Sequence, residues 1–154
     1  MDLIGLIHTG LALIALASGL FVFRKVKGGP LHRKIGWIYA ASMIGLNATA
    51  LMIYDLFGYF GPFHWMALFS LATVLAALVP AIRRKPADGW IEMHAQFMSW
   101  SYVGLLAATA AEIFTRVPGL DFWWAVIVAS VAIILGGAVY IRRCSPLERL
   151  LGRK

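Results

Sequence analysis

A chain of 154 residues that is 61% hydrophobic, with a mean hydropathy of +0.80, is too apolar for an ordinary soluble domain. Its formal charge of +7 invites a nucleic-acid role until the charges are placed, and its single cysteine, Cys144, excludes an intramolecular disulfide and CxxC chemistry. What remains is a helical membrane protein with room for five crossings of about 20 residues each and for no sizeable extra domain.

Leu3 to Phe23 forms the first apolar run. It lacks the small-residue cleavage pattern of a removable signal and is expected to persist in the mature protein. A basic turn, RKVKGGPLHRK, follows, in which Gly28 and Gly29 stop one helix and Pro30 suits the first turn of the next. That second span is expected from Leu31 to about Phe57. GYFGP turns the chain again, and Pro62 opens a third span that continues to Ile82, with Pro80 a candidate kink. RRKPADG is a second basic turn. The fourth span, Trp90 to Glu112, carries His94 one turn from its start and Glu112 near its end, and is closed by Arg116, Val117, Pro118 and Gly119. Phe122 to Ile141 is the fifth. RRCSPLERLLGRK is a basic tail, with Leu147, Leu150 and Leu151 on one face of a short interfacial helix and Cys144 read as a free cytoplasmic thiol. The expected fold class is therefore all-α, a polytopic membrane helical bundle of five transmembrane helices in one domain, 1–154. Residues 1–116 are expected to form a four-helix, histidine-bearing bundle, 117–143 a fifth helix and 144–154 a basic cytoplasmic tail.

Lysine and arginine are retained on the cytoplasmic side of a membrane. Arg24, Lys25, Lys27, Arg33 and Lys34 share one side with Arg83, Arg84 and Lys85 and with the five basic residues of the tail; Arg116 alone lies opposite. The chain is thus expected in the bacterial inner (plasma) membrane, with its N-terminus outside and its C-terminus in the cytoplasm. The excess of positive charge is accounted for by topology. Anionic lipid is the natural partner of the basic loops, and no nucleic-acid function is needed.

In this topology His8 and His64 lie about a turn below the outer surface, and His32 and His94 about a turn above the inner one. An ionisable group inside a membrane marks a functional site by default. If the two helical hairpins repeat about an axis along the membrane normal, His8 faces His64 and His32 faces His94. A structural zinc site wants four ligands and a catalytic one three, whereas pairing by leaflet supplies two. Two facing imidazoles suit haem iron, and Gly5, Gly10, Gly36 and Ala95 would leave room for a flat macrocycle. Two such sites would lie roughly 15 to 20 Å apart along the normal, within reach of electron transfer. Arg33, Lys34 and Lys25 could meet inner propionates, and Arg116 is the outer counterpart.

Each residue also has a plainer role. A histidine near a helix end commonly serves as an interfacial or hydrogen-bonded group, and His32, within HRK, could belong to a solvated basic cluster. Tyr54, Asp55, Glu112 and Arg116 are expected near the outer ends of their spans. There Glu112 and Arg116 have the spacing of an ion pair, and a quinone or proton site is the sharper alternative. Asn47, Thr49, Ser99, Ser101 and Thr109 are expected to donate hydrogen bonds between helices.

His8 ahead of GLALIALASG, the HRKIGWIYAASM start of the second span, FHWMALFSLAT in the third and HAQFMSWSYVGLLAATAAEIFTR in the fourth resemble a family of bacterial predicted membrane proteins, domain of unknown function 2306. The resemblance runs from Ile7 to Arg116, leaves out the fifth span and tail, and implies a small helical membrane protein with histidines at these positions. Histidine placement is more loosely similar to that of two-haem b-type membrane cytochromes, which commonly put two ligands on one helix where this chain has one per helix. The leading expectation is electron transport across the bilayer through two bis-histidine haem b groups, cytochrome b-like, with a quinone or redox protein at one face. A histidine-rich zinc or copper binding or transport protein, with the same four residues as metal ligands, is the alternative from another class. A cofactor-free accessory subunit of a membrane complex is the third.

Overall fold

The computed structural model describes residues 3–24 and 27–143, and these are organised as helices: α1 (Leu3–Arg24), α2 (Pro30–Ala50), α3 (Pro62–Arg83), α4 (Trp90–Phe114) and α5 (Phe122–Arg143). Lys25 and the tail with Cys144, Leu147, Leu150 and Leu151 lie outside the described residues. At 22 residues, α1, α3 and α5 are each about 33 Å long, enough to cross a hydrocarbon core. Length and apolar composition mark α1, α3, α4 and α5 as membrane spans. Large apolar side chains point outward, Phe69 being 77% exposed, Trp124 68% and Leu13 62%. A water-facing surface of that kind would be an aggregation liability, whereas lipid tails solvate it.

The helix α2 is long enough to span, at 21 residues, but is more polar than the others, with His32, Arg33 and Lys34 at its start and Ser42, Asn47 and Thr49 further on. Its path is set by α1, along which it packs antiparallel: Leu11 lies against Gly45 and His8 against Thr49. A helix in register beside a spanning helix shares its depth. It also ends at Ala50, earlier than the Phe57 expected from hydropathy. Residues 51–61 leave the helix through shortened hydrogen bonds, Met52 N–H to the Thr49 carbonyl at 3.0 Å and Ile53 N–H to that of Ala50 at 3.4 Å. Gly58, at φ +67°, then makes the turn that an L side chain would strain. The Phe57 ring stacks on Phe63 at 5.9 Å between centroids and covers Gly61, where an added Cβ would come within 2.8 Å of it. Aromatic packing therefore governs a stretch that hydropathy counts as membrane span.

Two compact units divide the chain within α3, Met1–Leu78 and Val79–Lys154. The first is centred on the α1–α2 contact, where Ala15, Ser18 and Gly19 are buried on one helix and Tyr39, Ala40, Met43 and Leu46 on the other. In the second, α4 packs on α5 through Val103 and Gly137, with Ala107, Ala111, Ala125 and Ala129 also buried. Small residues let helix backbones approach where lipid supplies no hydrophobic drive for association. Asp121 caps α5, its carboxylate accepting from Trp124 N–H at 3.0 Å.

Adjacent glycines on α5 yield a paired test. A Cβ on Gly137 would stand 2.5 and 2.6 Å from the two methyls of Val103, a stiff β-branched side chain, while one on Gly136 meets nothing within 4 Å. Gly137→Ala should lower stability by about 1 kcal/mol or more through overpacking, and Gly136→Ala should raise it by up to about 1 kcal/mol through helix propensity. Thermal unfolding in detergent, with the two variants side by side, measures both shifts.

Candidate functional site

His32 and His64 stand at the same place in two helix starts of one form, Gly29-Pro30-Leu31-His32 and Gly61-Pro62-Phe63-His64. Proline takes the first helical position, where it has no N–H to lose, and histidine the third. This four-residue repeat is legible in the sequence and is a sharper signal than the spacings between histidines. His8 and His94 differ, lying deeper within α1 and α4.

At the start of α3 the backbone and the imidazole close a reciprocal pair. The Gly61 carbonyl accepts from His64 N–H at 3.1 Å, and Gly61 N–H donates to His64 Nδ1, also at 3.1 Å. Histidine thus does here what Glu or Gln does in a capping box, reaching back from the third position to an otherwise orphaned amide. The ring is only 4% exposed and is flanked by Tyr54, at 4.5 Å between centroids, and Phe60, at 4.8 Å. Because Nδ1 is the acceptor, the proton of the neutral ring sits on Nε2, which is buried and has no hydrogen-bond partner among the described residues.

His8 meets a side chain instead. Its Nδ1 lies 3.0 Å from Thr49 Oγ1, and that hydroxyl also lies within reach of the carbonyls of Gly45, at 3.0 Å, and Leu46, at 2.9 Å. The hydroxyl has one proton for these three acceptor positions, so the tautomer of the His8 ring follows the rotor that Thr49 adopts. Both histidines are tied to one stretch of chain, His8 to Thr49 in the last turn of α2 and His64 to Tyr54 just beyond it. His32, half-buried, belongs to the same unit, and His94, also half-buried, to the second.

Most of the polar residues expected between helices serve their own. Asn47 Nδ2 donates to the Met43 carbonyl at 2.8 Å, Ser99 to that of Ala95 at 2.7 Å and Thr109 to that of Leu105 at 2.8 Å. Back-bonding satisfies a hydroxyl or amide inside an apolar helix without a second helix. Thr49 does link two helices, through its hydrogen bond with His8. Glu112 and Arg116 form the anticipated ion pair, and Arg116 also donates to the Glu112 carbonyl at 3.0 Å; both side chains are largely exposed. Lys27 is drawn to the end of α1, donating to the Val22 carbonyl at 2.5 Å and lying 5.2 Å from the Phe23 ring centroid. Burial pushes its ammonium below the usual lysine range. Zinc or copper held by three or four side chains would need them clustered, and among the described residues no group of three or more His, Cys, Asp or Glu could hold a metal ion.

Long apolar helices, outward-facing apolar side chains and polar groups satisfied within their own helices define a polytopic helical membrane protein. The chain belongs to the family of predicted membrane proteins called DUF2306, whose sequence profile matches residues 5–143. The match takes in α5, which the resemblance drawn from motifs had left outside. No curated protein and no solved structure matches the chain.

The cap at Gly61 can be separated from any other role of His64 by choice of substitution. Both variants lose the ring packing, but His64→Gln keeps an acceptor at the third position, so His64→Ala should cost about 1 kcal/mol more than His64→Gln for the lost hydrogen bond. Glu112→Gln should change stability little, since an exposed ion pair contributes at most about 1 kcal/mol. Unfolding midpoints of the three variants in one detergent settle all of these.

Proposed function

We propose that the protein carries electrons across a bacterial plasma membrane through b-type haem held by its histidines, His8 and His64 towards the outer face and His32 and His94 towards the inner. The observation that carries this reading is the His8–Thr49 hydrogen bond, 3.0 Å from Nδ1 to Oγ1, which holds the imidazole in one orientation. The His64 ring is also buried, between Tyr54 and Phe60, in the same unit as His8. Haem iron, when bound, would supply a one-electron redox centre whose potential responds to the hydrogen bonds of its ligands. The chain's own part is to hold the imidazoles, orient them through partners such as Thr49, and keep water away with Tyr54 and Phe60.

In the same reading the basic turns lie in the cytoplasm, with the N-terminus outside. Arg24, Arg33 and Lys34 face anionic lipid, and a quinone or redox protein exchanges electrons at one face. A reporter active only in the cytoplasm, inserted at Gly58, should then be silent, and the same reporter after Lys154 should be active.

Protein purified after expression with ample haem should show a sharp reduced b-type spectrum with about two haems per chain. His8→Ala and His64→Gln should remove the same spectral component, and His32→Ala and His94→Ala the other. Thr49→Val, which removes the hydrogen-bond partner of His8 Nδ1, should weaken haem retention by roughly 10- to 100-fold without abolishing it. A colourless protein containing a stoichiometric metal ion would replace this reading with a metal-binding one. Normal spectra from all four histidine variants would also exclude it.

A further inference from the structure

We propose that the connection between α2 and α3, residues 51–61, is a lipid-binding surface seated at the boundary between headgroups and acyl chains, held there by apolar and aromatic contact with no need for anionic lipid. The inference is independent of the haem reading above.

Two properties of this stretch exclude the environments on either side of that boundary. Its backbone is irregular: Met52, Ile53 and Gly58 donate to the carbonyls of Thr49, Ala50 and Tyr54, and among the described residues the amides of Asp55, Leu56, Tyr59 and Phe60 have no acceptor. Such amides need water or headgroup oxygens, which a hydrocarbon core does not supply. The side chains demand the reverse. Tyr59 is 62% exposed, Met52 60% and Leu56 56%, and Tyr54 and Phe60 are exposed as well. That much uncovered apolar surface, relieved only by the charge of Asp55, is unfavourable in water. The interface meets both demands, and a tyrosine, with its apolar ring and polar end, suits it.

What covers the surface follows from its continuity with α3. The Phe60 ring meets Trp65 edge-on at 5.3 Å, and Trp65, with Met66 and Phe69, begins the apolar exterior of a spanning helix. Phe57, stacked on Phe63, ties the stretch to the start of that helix a second time. The bilayer that solvates the exterior of α3 therefore also meets the connection at its edge. Seated in this way, the connection keeps Tyr54 and Phe60 closed over His64.

Charge separates this contact from that of the basic turns. From Leu51 to Trp65 there is no lysine or arginine, whereas Arg24, Lys27, Arg33 and Lys34 flank the turn at Gly28 and Gly29. Anionic lipid should strengthen the second contact and not the first.

The test places a nitroxide on single cysteines of the full-length protein, in a Cys144→Ser background, reconstituted in phosphatidylcholine vesicles. Collisions with oxygen, which concentrates in lipid, and with a water-soluble nickel chelate give the depth of each label. Leu56→Cys should lie within about 5 to 10 Å of the headgroup boundary, at a depth between that of Leu75→Cys on α3 and that of Asp88→Cys in the polar turn before α4. Met52→Cys, also at an exposed position, reads the same surface if a label at Leu56 disturbs folding. Adding phosphatidylglycerol should leave the depth unchanged. A label at position 56 as open to the nickel chelate as that at position 88 would overturn the proposal by placing the connection in water. Shielding from both reagents would overturn it by placing another protein or a second copy of this chain over the surface, and insertion only with phosphatidylglycerol would overturn its independence of charge.

Discussion

In hydrocarbon a peptide group has no water to turn to, so every N–H and C=O must be paired within its own segment or by a side chain close at hand. The interior of a long helix meets this demand by itself. Its ends do not, and the first four amides and last four carbonyls of each helix need partners from elsewhere. The places where chemistry could occur in this protein are the places where those ends are completed: Gly61 by His64, Trp124 by Asp121 and the end of α1 by Lys27.

Seen this way, the histidines are not simply ligands waiting for a metal. Each ring has two nitrogens, and the use made of one dictates what the other can do. Gly61 presents an amide hydrogen, which makes Nδ1 of His64 an acceptor and puts the proton of that neutral ring on Nε2. His8, associated with the same turn of chain, meets the Thr49 hydroxyl instead.

The packing that surrounds them has a common physical source. Without water to expel, membrane helices associate by close contact and by hydrogen bonds, so the buried faces hold alanine, glycine and serine while the bulky apolar residues face out. Gly45 admits Leu11, and Gly137 admits Val103. Polar residues within the spans mostly bond back along their own helices, which leaves the Thr49–His8 link conspicuous as a bond between two.

Helical class, membrane location and the approximate bounds of four helices follow from apolar run length and the breaking power of Gly28, Gly29, Pro62 and Gly119, because these are local properties of the chain. The position of each histidine near a helix start was equally legible, and so was the Glu112–Arg116 pair, set by helical spacing alone. The end of α2 was not, since Tyr54, Phe57 and Phe60 are as hydrophobic as any spanning residue and only their packing around Gly61 and His64 shows that they form a turn. Nor could residue type alone reveal which imidazole nitrogen bears the proton. For His64 that depends on the amide of Gly61, which the fold of the turn brings to 3.1 Å from Nδ1.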